Sequence, residues 1–258
     1  MLIRSGSLRA RVLPHGWLDI VRQFVLFGGA YMLYRLVRGL ADARTTVAFQ
    51  HARELIGTER ALHFFVEPSV QAWASGSHLL MEAATWLYIG AQTSVLIGVL
   101  LYLYMFHNRC FYFVRNMLMV SMGVALVGYI GFPTAPPRFL PEWGFFDSVA
   151  DFTGVPATSA SVNALFNPYA AIPSMHVAFA LMLGWPLARL ARHRAVAAFW
   201  FCYPFLITFV TVATANHFLA DALLGAVTAG FSAFVAARLG RLRPQDWNFG
   251  TPAAVGLT

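Results

Sequence analysis

Two short stretches of this chain combine residue types suited to nucleophilic and acid–base chemistry. They are Pro173-Ser174-Met175-His176 and, about forty residues on, Asn216-His217-Phe218-Leu219-Ala220-Asp221. Each puts a histidine at the edge of a long apolar segment, where an ionisable group is costly unless it is used. On a helix, His217 and Asp221 are four apart and share a face. The carboxylate then holds one imidazole nitrogen and leaves the other free to react. His176 is placed to supply or remove a proton. The pattern points to catalysis at a membrane surface.

The flanking residues suggest what would be bound. Pro173-Ser174 before an apolar run is a helix-start signal, with Ser174 as the cap. Backbone amides and the helix dipole at such an end suit an anion, phosphate above all. The stretch Phe132-Pro133-Thr134-Ala135-Pro136-Pro137-Arg138 closes another apolar segment. Its prolines stop the helix, and Arg138 can fork onto phosphate oxygens. Plainer readings stand beside these. His176 can merely cap or pack, Arg138 can meet lipid phosphates at the interface, and His217 with Asp221 can be a polar clasp. His176, His217 and Asp221 together can also ligate a divalent ion, although the zinc-protease helix motif is absent.

The elements that must position these groups are membrane helices. The chain has 258 residues, 59% hydrophobic and 11% charged, where a soluble domain is about a quarter charged. Apolar segments run over 17–40, 78–105, 111–132, 173–191, 195–215 and 217–238, most of them near the roughly 20 residues that cross a bilayer. The expected fold is all-α: a polytopic six-transmembrane-helix bundle forming a single membrane domain over 1–258. No cleavable signal peptide is expected, since a basic start leads into a long apolar run without a small-residue cleavage site.

All eighteen basic residues are arginine, and the formal charge is +7. Arg4, Arg9 and Arg11 precede the first segment, and Arg109 and Arg115 are counted between the second and third, Arg115 lying just inside the start of the third. Arg189, Arg192 and Arg194 follow the fourth, and Arg238, Arg241 and Arg243 the sixth. Short basic loops are cytoplasmic. That puts both termini inside and both histidine stretches on the outer face, with the plasma membrane as the expected location. Scattered arginines argue against a nucleic-acid partner. Cys110, expected in a cytoplasmic loop, and Cys202, in an apolar segment, do not suggest a disulfide framework.

Two outer segments remain. Residues 41–77 place Val47, Leu55, Ile56, Leu62, Phe65 and Val66 at near-helical spacing among Arg53, Glu54, Glu59, Arg60 and Glu67. This predicts an amphipathic helix in the outer interface, either a collar over the bundle or a source of head-group contacts through Arg44, Arg53 or Arg60. Residues 133–172 lack periodicity but carry Phe139, Trp143, Phe145, Phe146, Phe152, Phe166 and Tyr169. A lid-like loop packed over the outer face is expected. The tail 244–258 is expected to be loose, and no internal repeat is present.

In order and spacing, the three stretches resemble the signature motifs of the type 2 phosphatidic acid phosphatase superfamily. Phe132–Arg138, and Asn167-Pro168-Tyr169 ahead of Pro-Ser-Met-His, resemble the inositol phosphorylceramide synthase-like branch. The resemblance covers about 78–238. It implies a six-helix core with an outer-face active site. By that resemblance His217 attacks phosphorus to form a phosphohistidine, oriented by Asp221. His176 protonates the leaving oxygen and then activates the acceptor. Arg138 and Ser174 hold phosphate, with Asn167, Tyr169 and Asn216 as candidate head-group or lid contacts, and no metal or cofactor is needed.

The chain departs from the phosphatase pattern where Gly131 stands for a lysine and Val210-Thr211 for Ser-Arg. Either other arginines, Arg44, Arg53 or Arg60, replace the two missing phosphate-binding cations, or the site prefers a phosphodiester, which carries less charge than a monoester. Transfer from a lipid phosphate to a polyol such as inositol therefore stands beside hydrolysis. A non-enzymatic lipid-binding or transport protein and a metal-dependent membrane hydrolase are the other classes.

Overall fold

The computed structural model describes residues 17–40, 44–154 and 169–242, and the regular elements among them are helical. In chain order these are α1 (Trp17–Leu40), α2 (Thr45–Ala61), α3 (Glu67–Ser75) and α4 (His78–Trp86). A π turn (Leu87–Ala91) leads from α4 into α5 (Gln92–Phe106). Then come α6 (Asn108–Gly131), a short α7 (Ser148–Thr153), α8 (Met175–Leu190), α9 (Arg194–Ala213) and α10 (Leu219–Leu242). The punctuation is in the residues. Pro133 stops α6, and Ser174 starts α8 by accepting the Val177 N–H at 3.5 Å.

Side-chain contacts fix the helix directions. Asp19 at the start of α1 receives hydroxyls from Tyr104 near the end of α5 and Tyr112 near the start of α6. Arg44, just past α1, donates to the Ile130 carbonyl near the end of α6. Thus α1 and α6 run side by side in one sense, and α5 runs antiparallel to α6. Ser174, at the head of α8, donates its N–H to the Asp221 carbonyl at the head of α10 at 3.0 Å. The C-terminus of α6, the starts of α8 and α10 and the end of α9 therefore meet at one end. Arg109, Arg189, Arg194, Arg238 and Arg241 mark the opposite helix ends.

Close approach at the first end depends on glycine. A Cβ on Gly128 would lie 2.7 Å from Pro173 Cδ and 2.9 Å from the Ile172 carbonyl oxygen, and one on Gly225 would overlap the Ser174 carbonyl. Small residues that let backbones approach are how helices pack when lipid tails are as apolar as the core. Leu103, Tyr112, Val114, Leu118, Ala125 and Ala178 fill the interior between α5, α6 and α8.

The six apolar segments correspond to α1, α4–α5, α6, α8, α9 and α10. Of these, α6, α9 and α10 are each long and apolar enough to cross a membrane, and α4–α5, bent by 53°, makes a fourth if it is one span. Helix α8 has only 16 residues, and α1 carries Asp19, Arg22, Arg35 and Arg38.

The outer segments differ from expectation. Residues 44–77 form two helices, α2 and α3, in place of one amphipathic helix. Glu59 and Glu67, expected on its polar side, are fully buried, because α2 and α3 lay them against the head of α10. The part of the outer loop up to Gly154 is built from turns at Pro137–Phe139 and Pro141–Trp143 and from α7. Some of its aromatics are packed, Phe145 against Phe65 and Phe218 and Trp143 against Phe65, while Phe146 and Phe152 are exposed. Phe166 and Asn167, like the tail, lie outside the described residues. Cys110 sits in the first turn of α6 instead of a loop, since His107 alone separates α5 from α6. Both cysteines are free.

Candidate active site

The turn from α9 to α10 sets the first histidine. Ala215 adopts a left-handed backbone (φ +52°), a conformation uncommon for a residue with a side chain and held here by its surroundings. The N–H groups of Asn216 and His217 both donate to the Thr211 carbonyl, at 2.9 and 3.2 Å. His217 thus precedes the helix, which starts at Leu219, and the expected shared helical face is not how the pair meets. Asp221 instead reaches back from the first turn. Its Oδ2 takes the Phe218 N–H at 3.0 Å and His217 Nδ1 at 3.3 Å. With Nδ1 held, Nε2 is the nitrogen left to react.

His176 lies in the first turn of α8, its ring centroid 5.5 Å from that of His217. Tyr88 stacks on its other neighbour side at 4.5 Å and 24°, presented by the π turn, a local widening that recurs at functional sites. The loop before α8 is held by the Ser174–Asp221 backbone bond and by Tyr129, whose hydroxyl donates to the Pro173 carbonyl at 3.3 Å.

Arg138 reaches the same corner. Its N–H donates to the Ala215 carbonyl at 2.8 Å and its Nη1 to Asn216 Oδ1 at 2.6 Å. Asp147 Oδ1 lies 3.9 Å from its Nε, which has no hydrogen-bond partner among the described residues. The guanidinium is therefore oriented by the residue next to His217. Asn216 spends its amide on Arg138 and Thr214. Tyr169 rests its ring against Phe49 and Phe139, in the cluster built around Leu140, Phe145 and Phe218. Arg44 binds the Ile130 carbonyl, Arg53 pairs with Glu142 at 3.1 Å, and Arg60 lies over the Trp143 ring. Val210 and Thr211, at positions where the phosphatases carry Ser-Arg, are buried in α9.

Sequence reasoning passed over Tyr88, Asp147, Glu59 and Glu67. Glu67 Oε1 accepts the Leu219 N–H at 2.8 Å and Glu59 Oε1 the Ala220 N–H at 3.0 Å. Burial pushes Glu59 up to about 8, reinforced by the nearby charges of Glu67 and Asp221, and burial also raises Glu67. A signal was available: Ala48, Ala52 and Ile56 form a buried stripe on α2, and Glu59 continues it one turn later.

An all-helical bundle with apolar spans and a polar site at one end defines a membrane-type helical protein. Residues 53–235, well over half of the chain, match the model of the PAP2 superfamily, and the chain belongs to that superfamily. Its members are generally phosphatases acting on phosphate-bearing substrates. The match begins upstream of the stretch that carries the resemblance and takes in α3 and most of α2. No curated protein and no solved structure matches the chain.

Proposed function

We propose that the protein is a membrane enzyme that removes or transfers the phosphoryl or phospho-head group of a lipid phosphate at the outer membrane face. The observation that carries this reading is the contact of His217 Nδ1 with Asp221, with His176 beside it and Arg138 anchored through Asn216. His217 Nε2 attacks phosphorus, and the bond from phosphorus to the leaving oxygen breaks as His176 delivers a proton to it. His176 then takes a proton from water or an alcohol, whose oxygen attacks the phosphohistidine and releases His217. Arg138 holds phosphoryl oxygens, where preorganised charge supplies most of the rate enhancement. The amides of α10 are taken by Asp221, Glu59 and Glu67, so the head of α8 at Ser174 is the helix end that can serve phosphate.

The arginine-rich helix ends support the outer face, because they lie opposite the site, as in short cytoplasmic loops. Transfer to a polyol such as inositol is the second reading. It is favoured by Gly131, Val210 and Thr211, which leave Arg138 as the cation anchored beside His217.

The test is an assay on mixed lipid phosphates, with and without added polyols. His217→Ala is expected to lower turnover by about a millionfold, the scale of losing a covalent nucleophile. Equal turnover by both proteins sinks the nucleophile assignment. A polyol-dependent lipid product identifies a transferase; phosphate release indifferent to polyols identifies a phosphatase. Turnover that survives strong chelation removes the metal-dependent reading.

A further inference from the structure

Glu59 and Glu67 have no part in the chemistry above, yet they hold the helix end that carries it. Four consecutive amides lead into α10, each with its own acceptor. His217 uses the Thr211 carbonyl and Phe218 uses Asp221 Oδ2, while Leu219 and Ala220 use Glu67 and Glu59. Helix-start amides have no intrahelical acceptor, and carboxylates there also meet the favourable end of the dipole. Two of these four acceptors come from α2 and α3, elements distant in sequence.

Both carboxyl groups are fully buried, and their second oxygens, the Oε2 atoms, face no donor among the described residues. The two carboxyl groups accept from adjacent amides, Leu219 and Ala220, close enough for their charges to act on each other. Two bare carboxylates could not share such a space; a proton on one turns the repulsion into a hydrogen bond. The charged groups acting on the pair are acidic: each other, and Asp221 from α10. The neighbouring Arg60 lies over Trp143.

We propose that Glu59 and Glu67 are positioning residues for His217: a proton-sharing carboxyl pair that clamps the start of α10 and so fixes the imidazole preceding it. The proposal rests on the reading of His217 as nucleophile. The raised carboxyl of Glu59 agrees with a proton kept at neutral pH. Ionisation of the pair at alkaline pH would set two charges against each other and loosen the clamp.

Glutamine and alanine variants separate positioning from simple packing. Glu59→Gln or Glu67→Gln keeps the oxygen that accepts the helix amide and replaces the shared proton with an amide N–H. Each is expected to keep kcat within about twofold and to lose the alkaline fall in kcat that the pair causes. Glu59→Ala or Glu67→Ala removes the acceptor. The expected result is a drop in kcat of roughly ten- to a hundredfold with KM nearly constant, as for a misplaced reactive group. Infrared difference spectra read the pair directly, through a protonated-carboxyl band present in the wild type and lost in Glu59→Gln.

Alanine variants with wild-type kcat, glutamine variants as impaired as alanine ones, or no such band at neutral pH would each overturn the proposal. The glutamine variants and the band keep the test decisive if an alanine variant does not fold. Failure of the nucleophile reading would look different, with His217→Ala turning over normally while the carboxyl band persists.

Discussion

Two buried polar clusters lie at opposite ends of the bundle and use similar parts, yet they are finished differently. At the arginine-rich end, Asp19 accepts from Gln23 on one oxygen and from Tyr104 and Tyr112 on the other, at 2.8 to 2.9 Å. Gln23 in turn accepts from Arg115 Nη1, while Arg115 Nε and Nη2 both bond Asn116. At the other end, Arg138 Nε, Asp221 Oδ1 and the Oε2 atoms of Glu59 and Glu67 have no hydrogen-bond partner among the described residues. A buried network that is satisfied specifies packing; one with orphaned groups calls for a ligand or a proton. The closed cluster ties α1 to α5 and α6. The open one surrounds His217.

The largest effect separating the two is expected at Arg138. Arg138→Ala should lower kcat/KM by about a hundred- to a thousandfold, the scale of losing a preorganised donor to developing charge. Arg138→Lys should recover only part of it, because an ammonium lacks the guanidinium fork. Asp19→Ala should do the reverse. It removes the acceptor shared by three donors and should cost about 3 kcal/mol of stability, with kcat within about twofold. Thermal unfolding in detergent, read beside lipid-phosphate turnover, checks both. Turnover that collapses in Asp19→Ala while unfolding stays put would erase the distinction between the clusters.

The two ends were unequally legible in the sequence, for physical reasons. Pro133 and Ser174 are local signals, so the end of α6 and the start of α8 fall within a few residues of expectation. His217, Asp221 and Arg138 were readable because few uses justify such groups at membrane edges. The manner of the His217–Asp221 contact was not, since it depends on α10 starting at Leu219 and not at His217. Glu59 and Glu67 read as solvent-facing charges because the amides they serve lie more than 150 positions away. Asp19 and Arg115 were hidden likewise: Arg115 reads as one more loop arginine, although it is buried in α6. Local signals mark where helices end. Which buried charges face each other is set by tertiary contact.

A smaller effect sharpens the comparison through pH. Glu59 in the folded protein lies near 8, raised from its ordinary 4.5 chiefly by burial. A raised carboxyl binds a proton that the unfolded chain has already released. Its stabilising contribution is therefore complete below about 4.5 and is lost as pH rises toward about 8. Unfolding in detergent should show stability falling across that window, by at most about 1.4 kcal/mol per pH unit for one proton. Glu59→Gln should flatten the slope. A slope unchanged in Glu59→Gln would assign the pH dependence elsewhere and leave the open cluster without its shared proton.

The smallest effect tests how far the open cluster extends. Tyr88 stacks its ring on His176 from the π turn. If His176 exchanges the proton with the leaving and entering oxygens, its ring plane must be held while both His217 and the substrate are in place. A stacked aromatic contributes about 0.5–1.5 kcal/mol beyond its burial. Tyr88→Leu keeps apolar bulk but removes the flat face, so kcat should fall by about two- to tenfold with KM nearly constant. Tyr88→Phe, which keeps the ring, should cost less. A Leu variant with unchanged kcat would confine the functional cluster to α8, α10 and their immediate supports. A loss as large as that of Arg138→Ala would mean that the π turn does more than hold one ring.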